Sequence, residues 1–126
     1  MKVNNLLLGL VITMAPGLSH AFMSTEDALS QVESDGPMKP LATMYLNGMA
    51  EALWWQSMAA KEYGKGIICI PDSQSLQTKE LRLLALLSLN RAKNDLIGDE
   101  AALKQFLKDP VSMNLMFAWA KEYPCS

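Results

Sequence analysis

Two cysteines, Cys69 and Cys125, lie downstream of an N-terminal stretch with the layout of an export signal, and together these features narrow what the chain can fold into. Lys2 supplies a short positive start. Leu6-Leu7-Leu8-Gly9-Leu10-Val11-Ile12 opens an apolar segment that runs to Ala15 and is broken by Pro16-Gly17. Ser19-His20-Ala21 then offers small residues at the positions a signal peptidase reads. Cleavage is expected after Ala21, which divides the chain into a signal peptide, 1–21, and a single domain, 22–126. The competing reading is an uncleaved membrane anchor. A helical span takes ~20 apolar residues, and the strongly apolar part here is shorter. No Cys follows the segment, so a lipoprotein is not expected. An exported chain with two cysteines pairs them, so a Cys69–Cys125 disulfide in a periplasmic protein is the expectation. The bond would enclose nearly half the chain, a constraint worth ~4 kcal/mol by loop entropy. For one small domain that rivals the total stability.

Charge removes other classes. The formal net charge is −2 and Lys and Arg form no run. Nucleic-acid binding needs a basic patch, so that partner class is excluded. No second long apolar segment is present, and no membrane association is expected after cleavage.

The rest of the chain reads as helices. Phe22–Gln31 forms a short one, capped by Ser24 or Thr25, with Glu26 and Asp27 at the positive end of the dipole. Ser34-Asp35-Gly36-Pro37 is a turn. A long helix follows from Pro40 to Tyr63, stopped by Gly64 and Gly66. At ~100° per residue, Leu41, Tyr45, Gly48, Ala52, Trp55 and Ala59 share a face flanked by Met44, Met49 and Leu53. That face is expected to be core, with Gly48 and Ala52 admitting a close neighbour. Thr43, Asn47, Glu51 and Lys61 occupy the opposite face, and Trp54 and Met58 fall on this polar stripe. A Trp one turn from a Met on such a stripe points either to a protein contact or to cover by another segment of the chain.

Lys65–Pro71 is rich in β-branched residues and ends in proline, so it is expected to be extended or irregular. Thr78 is placed as the N-cap of a helix running to Lys93, whose leucines cover nearly the whole circumference. Such a helix is expected to be central. Asn94–Gly98 interrupts the pattern. Asp99 caps a short helix, Glu100–Lys108, and Asp109-Pro110 supplies the N-cap and first position of a last helix reaching Glu122. Val111, Leu115, Ala118 and Trp119 form one apolar face of that helix, and Met113, Met116, Phe117 and Ala120 a second. Two such faces imply deep burial or a homodimer contact. No period-two pattern and no repeat is visible. The fold class is all-α, a compact bundle of about five helices with one disulfide.

Catalytic equipment is sparse. The only His is His20, inside the expected signal peptide, so Ser-His-Asp, Cys-His and His-metal chemistry are not expected of the mature domain. The cysteines do not form a C-x-x-C pair, and no Gly-rich phosphate loop occurs. Asp99-Glu100 and Glu26-Asp27 sit where helix starts favour acids. Neither enzymatic activity nor a cofactor or metal is expected.

Several elements together resemble a known family: Tyr45-Leu46-Asn47-Gly48, Cys69-Ile70-Pro71, Thr78 followed by Lys79-Glu80-Leu81, and Tyr123-Pro124-Cys125. In this order, behind an export signal, they resemble the Rap/Tai-type immunity proteins of type VI secretion systems, over roughly Met44 to Cys125. The resemblance implies a helical periplasmic antitoxin that binds and blocks a peptidoglycan amidase effector with a Cys–His active site, in some members as a dimer that pushes a loop into the cleft. Asn90 to Asp109 departs from the family pattern, being longer and more charged, and no inhibitory residue is carried over. The residues themselves offer Asn94, Asp95 and Asp99 around a loop tip, where binding groups concentrate, and Trp54 with Met58 as apolar contacts. The alternative class is a small acid-stress chaperone, exposing apolar surface when carboxylates protonate, with the methionines from Met23 to Met116 as an adaptable client surface.

Overall fold

A computed structural model describes residues 22–71 and 76–126. The expected signal peptide, 1–21, lies outside the described residues. Five helices occupy the rest: α1 (Thr25–Glu33), α2 (Lys39–Tyr63), α3 (Thr78–Asp95), α4 (Glu100–Lys108) and α5 (Val111–Glu122). Among the described residues the only extended pairings are two isolated bridges, Ser24 with Pro110 and Ile68 with Pro124. The chain is all-α, as its periodicity dictates.

The helix ends follow local chemistry. Ser24 caps α1: its Oγ accepts the Asp27 N–H at 3.0 Å and donates to Asp27 Oδ2 at 2.7 Å. The helix starts later than Phe22 because Met23 is used elsewhere, its carbonyl accepting the Val111 N–H at 3.0 Å. Gly64 ends α2 in the left-handed region at φ 66°. Asp99 caps α4 by accepting the Ala102 N–H at 3.0 Å. Two expected caps shift by one residue. Gln77, not Thr78, precedes α3, because the Thr78 hydroxyl is turned across to donate to Glu51 Oε1 on α2. Pro110, not Asp109, precedes α5. Asp109 is committed to ending α4, with its N–H on Gln105 O at 3.0 Å, while its carbonyl accepts from Thr25 N at 2.9 Å.

α2 packs against α1, α3 and α5, and α5 closes the core against α3. Leu46, Ala50 and Leu53 from α2, Leu81, Ala85 and Leu89 from α3, and Val111, Leu115 and Trp119 from α5 meet in one cluster, joined by Ile68 and Ile70 from the connecting segment. Here the structure corrects the expected phase of α2. Its buried residues are Ala42, Leu46, Ala50, Leu53, Ser57 and Ala60. Leu41, Met44 and Trp55 face outward instead. The reason is volume. α3 and α5 bring leucines and Trp119 to the contact, and a helix offering Ala and Ser there leaves the space those side chains fill. Ser57 adds a polar reason, since its Oγ accepts the buried Ile70 N–H at 2.7 Å. The expectation that α3 is central is corrected too: Leu83 and Leu87 stand exposed on its outer side.

The middle and the end of the chain are locked together. Cys69 and Cys125 form the disulfide, with Cα atoms 4.9 Å apart and a sequence separation of 56. Beside it the Cys69 N–H donates to Tyr123 O at 2.8 Å. The segment reaches this position by folding back over the last turn of α2, where Gly66 lies so close to Ala60 that a Cβ on Gly66 would overlap the Ala60 methyl. Deeper in, the Trp119 indole N–H donates to Ser88 Oγ at 3.2 Å, Ser88 donates to Glu122 Oε2 at 2.6 Å, and Arg91 donates to Glu122 Oε1 at 2.9 Å. Asn114 performs the same task at the other end of α5, donating to Thr25 Oγ1 at 2.8 Å and Phe106 O at 2.7 Å.

Reduction of the disulfide should lower the unfolding free energy by about 2–4 kcal/mol, read from urea melts with and without reductant. Gly66→Ala should destabilise the oxidised protein as well, because the overlap falls on a helix residue with nowhere to move. An unchanged urea midpoint would contradict that packing.

Candidate interaction surfaces

Among the described residues, no group of three or more His, Cys, Asp or Glu is arranged to hold a metal ion. Among the described residues, two titratable groups stand away from their ordinary values. The Asp35 carboxyl is held lower by a hydrogen bond from Lys39 at 2.9 Å and by that residue's positive charge. Tyr123 is raised above 10.0, first by burial and then by the charge of neighbouring Glu122. Asp35 is part of an exposed turn, and Tyr123 is part of the clamp around Cys69. The sequence candidates and the exposed apolar side chains fall in three places.

The first is the α3–α4 turn. Its backbone is internally satisfied: Leu96 N–H bonds Lys93 O at 3.1 Å, Ile97 N–H bonds Asn94 O at 3.1 Å, and Asp99 N–H bonds Leu96 O at 3.0 Å. Gly98 takes φ 109°, a backbone state that favours glycine. Leu96 packs against the core, and the next side chain, Ile97, is 72% exposed. The sequence candidates Asn94, Asp95 and Asp99 surround it, all exposed. Asp99 serves the α4 cap, and Asp95 lies 3.6 Å from Lys121 on α5. Such an exposed pair contributes little to stability. Ile97 was not singled out by the sequence, because one isoleucine in a short polar interruption carries no periodicity.

The second place surrounds Trp54. Trp54 is half-buried against the core, not on a solvent stripe. Glu51, Leu76, Thr78 and Leu81 line the space beside it, and the adjacent Trp55 ring meets it edge-on at 4.8 Å between centroids. The polar stripe drawn on the α2 wheel is the side over which α3 packs: Arg82 donates to Asn47 Oδ1 at 2.9 Å, and Thr78 donates to Glu51. Trp54 is thus covered in part by the start of α3, and the rest of its surface stays open. Met58 stands exposed, at 37%. Trp54 lies near the start of α3 and Asn94–Asp99 lies at its end. An 18-residue helix separates them by roughly 25 Å at 1.5 Å per residue, so the structure does not bring the sequence candidates together.

The third place is the outer face of α2, with Leu41 at 52%, Met44 at 70% and Trp55 at 63% exposure. Sequence reasoning found these residues but assigned them to the core. Leu83 and Leu87 on α3 and Phe117 on α5 are exposed as well. No family model matches this chain, and no curated protein or solved structure matches it.

Iodide should quench emission from Trp55 and spare Trp119. Trp55→Phe should therefore remove most of the quenchable fluorescence, whereas Trp54→Phe should remove little. The Tyr123 phenol should titrate late in the near-ultraviolet. Because its folded value is raised, the stability it contributes is complete below pH 10.0 and is lost as pH rises through the folded value. Tyr123→Phe should abolish that late component.

Proposed function

We propose that this chain is a periplasmic immunity protein, which binds a peptidoglycan amidase effector of a type VI secretion system and blocks its active-site cleft. The observation that carries this reading is the α3–α4 turn, where an apolar side chain, Ile97, projects from a capped and internally bonded backbone between Asn94, Asp95 and Asp99. A cleft-blocking element needs an anchor that enters and a backbone that loses little freedom when it does. The turn offers both. The acidic residues around Ile97 suit electrostatic guidance toward a basic cleft rim and fix register on arrival. The bundle below it supports the turn through Leu96, and the disulfide suits an oxidising compartment.

The resemblance carried by Tyr45–Gly48, Cys69–Pro71 and Tyr123–Cys125 supplies the identity of the partner in this proposal. The amidase to test is one encoded beside this gene. Co-expression should give a complex that survives purification, and the oxidised protein should suppress peptidoglycan cleavage. Ile97→Asp should weaken the complex at least about tenfold, or 1.4 kcal/mol, measured by calorimetry. It should leave the thermal midpoint in place, because Ile97 supports nothing beneath it. Suppression of client aggregation at acid pH, with no capture of the amidase, would overturn the reading in favour of a chaperone.

A further inference from the structure

We infer that the Cys69–Cys125 disulfide is a thiol-exchange site in the folded protein, at which a small thiolate enters from the cleft beside Gly64 and Gly66, bonds to Cys125 and releases Cys69. The bond is not sealed inside the fold that it closes. Both cysteines are half-buried, and both stand in the wall of an open cleft of about 570 Å³, with Lys61, Gly64, Gly66 and Pro124 around them. Access of a thiolate to sulfur decides whether a disulfide exchanges without unfolding of the chain.

The cleft belongs to the native backbone. The Gly64 and Lys65 N–H groups both bond the Ala60 carbonyl, which fixes the turn over the last residues of α2. Gly66 in this turn leaves the sulfur uncovered: a Cβ built on it would stand 3.9 Å from Cys125 Sγ. Lys61 adds a positive charge to the wall, which favours the approach of an anionic nucleophile.

The two sulfurs are not equivalent. Cys69 lies between Ile68 and Ile70, which are fully buried. Cys125 lies between Pro124 and Ser126, both exposed. Attack therefore falls on Cys125 Sγ. The Cys69–Cys125 bond breaks, a new S–S bond forms between Cys125 and the incoming sulfur, and the electron pair leaves on Cys69 as a thiolate. Charge balances, because one thiolate is consumed and one is released. The hydrogen bond from Cys69 N–H to Tyr123 O, 2.8 Å long, involves neither sulfur and keeps the new thiolate beside Cys125. Return attack on the mixed disulfide expels the thiol and restores the clamp. Full reduction takes a second thiolate, which attacks the thiol-derived sulfur and departs with it as a small disulfide, leaving Cys125 as a thiolate. Cys125 is thus a site of reversible modification by small thiols in the native state.

The test uses the oxidised protein with reduced glutathione at neutral pH, sampled by acid quench, alkylation and mass spectrometry. The rate of disulfide opening should rise in proportion to glutathione. It should also change less than about twofold on adding about 1 M urea, well below the unfolding midpoint, whereas exchange that waits for unfolding speeds up about fivefold or more per molar urea. Peptide mapping should place the first glutathione on Cys125 and the alkyl group on Cys69. No amidase enters the assay, so its outcome is read separately from that of the proposed function. A rate that saturates with glutathione, a rate that climbs with urea as unfolding does, or a first adduct on Cys69 overturns the inference.

Discussion

The clamp between Cys69 and Cys125 sets the arrangement of everything after α2. The disulfide and the adjoining Cys69 N–H to Tyr123 carbonyl bond hold the connecting segment against the end of α5. α3 must then run between these fixed points, with Ile68 and Ile70 turned under it into the core. The polar contacts follow from that placement. Trp119 is fully buried, and its indole N–H would be costly there without a partner. Ser88 supplies the partner and passes the constraint to Glu122, one helical turn from the clamp. Covalent and hydrogen-bonded restraints thus act on the same pair of helices, α3 and α5.

A second theme is a surplus of apolar side chains. α2 and α3 carry more of them than one small core can absorb, and the surplus stands on the outside: Leu41, Met44 and Trp55 on α2, Leu83 and Leu87 on α3. Small domains use cross-links to supplement limited cores. Here the cross-link serves the inside of the fold, and the outward residues add nothing to the core.

This surplus also explains what could be read from the sequence and what could not. Ends were legible because they depend on local chemistry. Asp99 before Glu100, Gly64 after Tyr63, and the Asp109-Pro110 break each bias the backbone within a few residues, and α4 and the last turn of α2 end where those signals place them. The cysteine pairing was legible because two cysteines allow one intramolecular pairing. The facing of α2 was not legible. When a helix is apolar on more than one side, periodicity supplies no phase, and the larger side chains attract the assignment. Which side is buried depended on Trp119 and the α3 leucines, more than twenty positions away in sequence, and on the Ser57 contact with Ile70. Ile97 was invisible for the opposite reason, a single residue in a segment without pattern. Of the site candidates, Asn94, Asp95 and Asp99 lie exposed around the α3–α4 turn, the first two as the end of α3, whereas Trp54 is half-buried against the core beside its exposed neighbour Trp55.

The closed loop has a topological consequence for durability wherever the disulfide stays oxidised. A protease that cuts the backbone once between Cys69 and Cys125, at the exposed α3–α4 tip for example, leaves two pieces still joined through sulfur. Their helices remain at high effective concentration and held in register by Ser88, Glu122 and Arg91. Release of a fragment then takes a second cut or a reductant, so in an oxidising compartment a nicked molecule persists as one covalent unit.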